Sequence, residues 1–217
     1  MLDENTIKEQ ILWVCQNLHK KNMLASADGN ISYRMSNDRI LITPSGLPKA
    51  FIKKEDIAVI DIDGNVVSGN PSSERLMHVE VFKKCEKAKA VVHAHPPKSI
   101  AWSVAFPDST ELPVGAISEL ILAVGQVPVV PYARPGTKEM GTNLHPFVEN
   151  SRVMILARHG ALSWGEDLVE AFCGMERLEH SVEILMAAHL LGGITELPAS
   201  ELEELKKLRK SLGDRTL

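Results

Sequence analysis

Apolar residues Ile7, Ile11, Leu12, Cys15 and Leu18 recur every three or four positions near the start of the chain. This is the period of a helix with one buried face, and it predicts an amphipathic helix over 6–22. After the turn-rich "SADGNIS" the period shortens. "ISYR" and "RILIT" read as two short strands, and "TPSG", Thr43 to Gly46, as the loop that follows the second. "DIAVIDIDGNVV" alternates on either side of Asp63-Gly64-Asn65, a hairpin pattern. "RLMHVEVFKKCEK" returns to the helical period. Ser72 or Ser73 can cap this helix, and Glu74 falls in its first turn, where the positive end of the helix dipole favours a carboxylate.

The second half alternates strands with helices. "AKAVVHAHP" predicts a buried strand ending at Pro96, "KSIAWSVA" a short helix, "ISELILAVG" a helix, "QVPVVPYA" a strand and "GTKEMGTNLHPFVEN" a helix. "RVMILARHG" is a further apolar strand with His159 just beyond its end, followed by a long helix over 167–191 and a charged one at "SELEELKKLRKSL". No repeat, linker or shift of composition interrupts the chain, so one domain over 1–217 is expected. Strand pairs early and strand–helix alternation later predict a three-layer α/β/α fold around a mostly antiparallel or mixed sheet.

With 217 residues, 44% of them apolar and 24% charged, the chain can bury a sizeable core. A net charge of −4 supplies no basic footprint, which argues against nucleic acid or an anionic membrane surface as partner. The cysteines Cys15, Cys85 and Cys173 are odd in number and never form C-x-x-C, so neither a disulfide framework nor a thiolate zinc site is indicated. Cys15 and Cys173 read as small buried hydrophobes. "MLDENTIKEQ" lacks the basic start and apolar core of a signal peptide, and no stretch approaches a membrane span, so a cytoplasmic location is expected.

On a strand, residues two apart point to the same face, so His93 and His95 present two imidazoles together. The pair alone fits a metal site or two satisfied strand-end side chains equally well. Catalytic zinc takes three protein ligands and keeps a position open. His159 is the best third donor: it occupies the same strand-end position as His95, and Gly160 after it lets the backbone turn sharply. His19, His78, His145, His180 and His189 lie in predicted helices, where surface or core placement is expected. Glu74 is the candidate acid, with a simple capping carboxylate as its alternative. Ser72 and Ser73, with helix amides behind them, can bind a phosphate. The loops at Asp28–Asn30 and Thr43–Gly46 add small polar groups of the kind that wrap an anion. The nucleotide-loop, Rossmann and serine-hydrolase motifs are missing from the sequence.

The order "GNIS", "TPSG", "PSSE", "VVHAHP", "PYARPGT", "RHGALSWG" resembles the class II aldolase/adducin family over nearly the whole chain, and within it the L-fuculose-1-phosphate aldolase branch. The resemblance implies a homotetramer of four-fold symmetry with active sites at subunit interfaces. It also implies one divalent metal per subunit, normally Zn2+, with Mn2+, Co2+ or Fe2+ as alternatives. By position His93, His95 and His159 match the family's metal ligands, Glu74 its catalytic acid/base, and Asn30, Ser45, Gly46, Ser72 and Ser73 its substrate-phosphate site. The implied reaction cleaves a ketose 1-phosphate reversibly to dihydroxyacetone phosphate and an aldehyde through a metal-stabilised enediolate. Fuculose, 5-deoxyribulose and methylthioribulose 1-phosphates are all compatible substrates.

One departure stands out. Where fuculose-phosphate aldolases carry a proton-donating tyrosine from a neighbouring subunit, this chain has Glu119 in "GAISELIL". An acid near this position is typical of related ribulose-phosphate 4-epimerases and methylthioribulose-phosphate dehydratases. Glu119 is therefore expected either as an interfacial proton donor or as a polar residue on a surface helix. An epimerase, dehydratase or decarboxylase remains the alternative activity. A non-catalytic adducin-like scaffold ranks below these, because that branch generally loses metal ligands and this chain keeps its histidines and glutamate.

Overall fold

The computed structural model describes residues 3–213 and 215. Helix α1, Glu4–Lys20, begins two residues before the apolar period suggests, because the Asp3 carboxylate accepts from the amides of Asn5 and Thr6 and caps it. Strands β1 (Asn30–Ser36) and β2 (Arg39–Ile42) form a hairpin, and β3 (Ala58–Ile60) and β4 (Val66–Ser68) a second. Helix α2 (Arg75–Lys84), strand β5 (Ala90–Ala94) and helix α3 (Pro97–Ala105) follow. Then come α4 (Ser118–Ala123), β6 (Val129–Val130), α5 (Glu139–Thr142), β7 (Val153–Leu156), β8 (Gly160–Gly165), α6 (Leu168–Leu190) and α7 (Ala199–Leu212).

The eight strands make one mixed sheet in the order β4-β3-β2-β1-β5-β8-β7-β6. Every neighbouring pair is antiparallel except β6 with β7. Helices cover both faces, as a sheet buried on both sides requires. Against one face α1 and α6 pack Ile7, Ile11, Leu18, Met175 and Leu178 onto Ile31, Val92 and Ile155. Against the other, α2 packs Met77, Val81 and Phe82 onto Ile40, Ile42, Val91 and Leu162. Each fully buried Leu, Ile or Phe contributes about 1.5–3 kcal/mol, so both layers are needed to hold the sheet.

Three expectations change. "GTKEMGTNLHPFVEN" is helical only over the four residues of α5 and otherwise runs in turns. "GALSWG", read only as the sequel to His159, is strand β8, buried along its whole length. Cys15 is buried as expected, whereas Cys173 is only half-buried.

Candidate active site

The site grows from the middle of the sheet. Strand β5 is flanked by β1 and β8, and its register sets His93 opposite Asn30 on one side and opposite Leu162 on the other. The His93 imidazole is fully buried, and its Nδ1 lies 2.9 Å from the carbonyl oxygen of Ala161 on β8. A carbonyl only accepts, so Nδ1 carries the proton and Nε2 is left as a free donor of its lone pair. His95 leaves the end of β5 and places Nδ1 3.3 Å from the Asp28 carboxylate. That contact turns its Nε2 inward, to 3.3 Å from His93 Nε2. His159 sits in the β7–β8 turn, where Arg158 takes φ of 59°, and brings its own Nε2 to 3.1 Å from that of His93.

The sharp turn thus falls on Arg158, not on Gly160 as the sequence suggests. Gly160 serves close approach instead. A Cβ there would lie 2.5 Å from the Ala94 carbonyl and 3.0 Å from carbons of both His93 and His95. Gly29, at φ of 71°, is constrained in the same way, since its Cβ would lie 2.8 Å from the His93 carbonyl.

These three nitrogens lie within 4.8 Å of one another. Nitrogens bound to tetrahedral zinc at about 2.0–2.1 Å stand about 3.3–3.4 Å apart, so the spacings from His93 fit such an ion with little adjustment. Burial, reinforced by His93 and His159, pushes His95 down to about 4, which keeps it neutral, as a ligand must be. The outer contacts to Ala161 and Asp28 are the supports that orient ligating imidazoles.

Glu74 is the residue that ends the approach to α2. Its side chain does not cap the helix, which removes the simple capping alternative. Ser72 Oγ accepts from the Glu74 amide at 3.3 Å, so the serine shapes the entry turn. The freed carboxylate faces the imidazoles, with Oε2 3.4 Å from His93 Nε2 and Oε1 3.4 Å from His159 Nε2. Burial pushes Glu74 up, but the contacts to His159 and His93 and the Asn30 amide outweigh it and hold the carboxyl well below the usual carboxylate range.

A cavity of about 360 Å³ opens in front of these groups. It is lined by Asn30, Ser45, Gly46, Ser72, Ser73, Glu74, His95 and His159, so all five residues matched to a phosphate site line the same space as the acid and two of the imidazoles. Backbone bonds between the loops build its wall. Ser45 N donates to the Asn70 carbonyl at 3.0 Å, and Ser72 N to the Thr43 carbonyl at 3.1 Å.

Lys49 also lines the cavity, and sequence reasoning missed it. Only 2% exposed, it donates from Nζ to the carbonyls of Ala27 and Leu47 at 2.8 and 2.9 Å. His78 was missed as well, although its place four residues after Glu74 put both on one helix face. Glu119 is not among the residues lining the cavity. It lies exposed on α4, accepting from Ser118 Oγ at 2.9 Å. A larger concavity of about 520 Å³ lies beside α6, but Lys21 there pairs with Glu176 at 2.6 Å and Lys98 with Glu183 at 2.7 Å, and among the described residues no metal-ligand set converges on it.

A family model for the class II aldolase and adducin N-terminal domain matches residues 9–186. The chain belongs to the class II aldolase and adducin family. This family member is 32% identical over 175 residues to an L-fuculose phosphate aldolase of Methanococcus maripaludis, covering 81% of the chain and 93% of the relative. It is 29% identical over 211 residues to a 3-oxo-tetronate 4-phosphate decarboxylase of Escherichia coli, covering 94% and 96%. It is 30% identical over 215 residues to a 5-deoxy-D-ribulose 1-phosphate aldolase of Bacillus thuringiensis, covering 95% and 96%. A solved L-fuculose 1-phosphate aldolase matches the class II aldolase fold of this chain with a TM-score of 0.84 and 31% identity, over 94% of this chain and 96% of that one. No helix among the described residues is long and apolar enough to cross a membrane.

Proposed function

We propose that the protein is a metal-dependent aldehyde-lyase of the cytoplasm that cleaves a ketose 1-phosphate reversibly to dihydroxyacetone phosphate and an aldehyde. The observation that carries this reading is a largely buried carboxylate held against two of three converging imidazole nitrogens at the edge of a polar cavity. His93, His95 and His159 hold one divalent ion, Zn2+ on the donor set. When bound, the ion supplies Lewis acidity at the substrate oxygens. Glu74 is the proton carrier. In the condensing direction its carboxylate removes a proton from the hydroxymethyl carbon of dihydroxyacetone phosphate, and in cleavage it returns that proton to the same carbon as the carbon–carbon bond breaks.

Ser45, Gly46, Ser72, Ser73 and Asn30 receive the phosphate, and Lys49 is the only lysine or arginine among the described residues that line the cavity. An ammonium has three N–H groups and two of them are spent on carbonyls, so one remains for an anion. The hydroxyl proton released as the aldehyde forms needs a second acceptor. Glu119 is our candidate, reaching the site from a neighbouring copy in a homotetramer whose active sites lie at subunit interfaces.

The decarboxylase relatives, which cover nearly as much of the chain as the 5-deoxyribulose 1-phosphate aldolase, favour a second reading: loss of CO2 from a 3-oxo acid 4-phosphate through the same stabilised carbanion. The deciding experiment incubates zinc-loaded protein with fuculose, 5-deoxyribulose and methylthioribulose 1-phosphates and with 3-oxo-tetronate 4-phosphate. Dihydroxyacetone phosphate from a ketose 1-phosphate supports the lyase. CO2 and dihydroxyacetone phosphate released in equal amounts from 3-oxo-tetronate 4-phosphate, with no ketose 1-phosphate cleaved, support the decarboxylase. No turnover of any substrate and no divalent ion in the purified protein would favour an adducin-like scaffold.

A further inference from the structure

Behind Glu74 runs a chain of buried polar side chains of which the reaction above uses only Asn30. Asn30 Nδ2 donates to Glu74 Oε2 at 2.8 Å. Asn30 Oδ1 makes a very short contact with His78 Nε2, and His78 Nδ1 lies 2.6 Å from Ser32 Oγ. Ser32 and His78 are fully buried, and Asn30 is 2% exposed.

The direction of this chain follows from its end. An ionised carboxylate only accepts, so the Asn30 NH2 must face Glu74 and its carbonyl must face the imidazole. A carbonyl also only accepts, so Nε2 of His78 carries the proton. Nδ1 is then bare and must accept from the Ser32 hydroxyl. The opposite tautomer would present a bare Nε2 to the Asn30 carbonyl, two acceptors in contact. Alternatively it would flip the amide and set its carbonyl against the Glu74 carboxylate. Both arrangements are disfavoured where no water can intervene.

We infer that His78 is a positioning residue for the reaction: as the Nε2–H tautomer it locks the Asn30 amide so that its NH2 holds the Glu74 carboxylate beside the imidazole nitrogens. Burial, then His93, pushes His78 down to about 3, so it stays neutral. Asn30 thereby joins two tasks. One N–H is committed to Glu74, and the second is left for the cavity. The kinetic arm of the test rests on the lyase reading, but the tautomer is read without turnover and decides the relay even where that reading fails.

The experiment uses the zinc-loaded full chain. Long-range proton–nitrogen spectra of the ¹⁵N-labelled protein should assign His78 as Nε2–H. His78→Leu should lower kcat for solvent exchange of the dihydroxyacetone phosphate proton by about tenfold or more, with zinc content kept and KM little changed. His78→Gln, whose amide can still donate to Asn30, should recover most of that loss. An Nδ1–H tautomer, an unchanged kcat in the Leu variant, or a Gln variant as impaired as Leu would each overturn the inference. Should the Leu variant fail to fold, the tautomer and the Gln variant decide.

Discussion

Asn30 and His93 face each other across the β1–β5 ladder, and the same register that pairs their backbones brings the Asn30 amide to 2.8 Å from Glu74. The centre of the sheet therefore fixes one imidazole and one carboxylate support in a single step. A slip of one residue in β1 would turn Asn30 to the opposite face and empty the site of its amide. The other groups arrive on connections that end near this point: His95 after β5, His159 between β7 and β8, and Glu74 ahead of α2.

That convergence leaves no room at Gly160. Gly160→Ala must move either the Ala94 carbonyl or the two imidazoles that its Cβ would meet. We expect a loss of about 1–3 kcal/mol of stability, as for other overpacked sites, together with weaker zinc binding. Thermal melts and zinc titration check this, and a variant matching the wild type in both would contradict the packing account.

Lys49 is buried without an ion-pair partner among the described residues, a costly arrangement that a bound anion would offset. Lys49→Met should raise KM for a phosphorylated substrate by about tenfold or more while kcat changes less, the signature of lost uniform binding. A kcat defect with unchanged KM would place Lys49 outside phosphate recognition.

The sequence makes part of this legible. The helical period locates α1 to within a few residues, and the H-x-H at a strand end with a third strand-end histidine brings out the imidazole cluster. Strand β8 is hidden because both of its faces are covered, so "GALSWG" shows no alternation and its terminal glycines read as turns. His78 and Lys49 are hidden for another reason. Their parts are set by partners distant in the chain, 48 residues from His78 to Asn30 and 22 from Lys49 to Ala27. Composition and period carry no record of such contacts.

Acid should unfold the metal-free protein in a defined window. His78 falls from 6.5 to about 3 on folding and His95 from 6.5 to about 4. Between those values the unfolded chain binds protons that the folded one refuses, so stability rises with pH there. The contribution is complete above 6.5 and is lost as pH falls, towards about 4 for His95 and about 3 for His78. Glu74, depressed from 4.5, adds loss in the same direction below that value. Urea melts in chelator at pH 7, 6 and 5 should show falling midpoints, and a flat profile would contradict two histidines held neutral.

Glu119 stands outside its own subunit's cavity, so its proposed part requires an assembled oligomer. Glu119→Gln should lower the rate of ketose 1-phosphate cleavage by about tenfold or more while leaving proton exchange on dihydroxyacetone phosphate intact, because that half-reaction uses Glu74 and the bound ion and releases no aldehyde. Undiminished cleavage would return Glu119 to the solvated surface of α4.

Solvent exchange of the dihydroxyacetone phosphate proton reads out Glu74 and the bound ion whichever aldehyde is the true partner. Zinc-loaded wild-type protein should catalyse it, chelation should abolish it, and Glu74→Gln should lower it by about a hundredfold or more with zinc still bound. No exchange by the wild type, or full exchange by Glu74→Gln, would contradict the account.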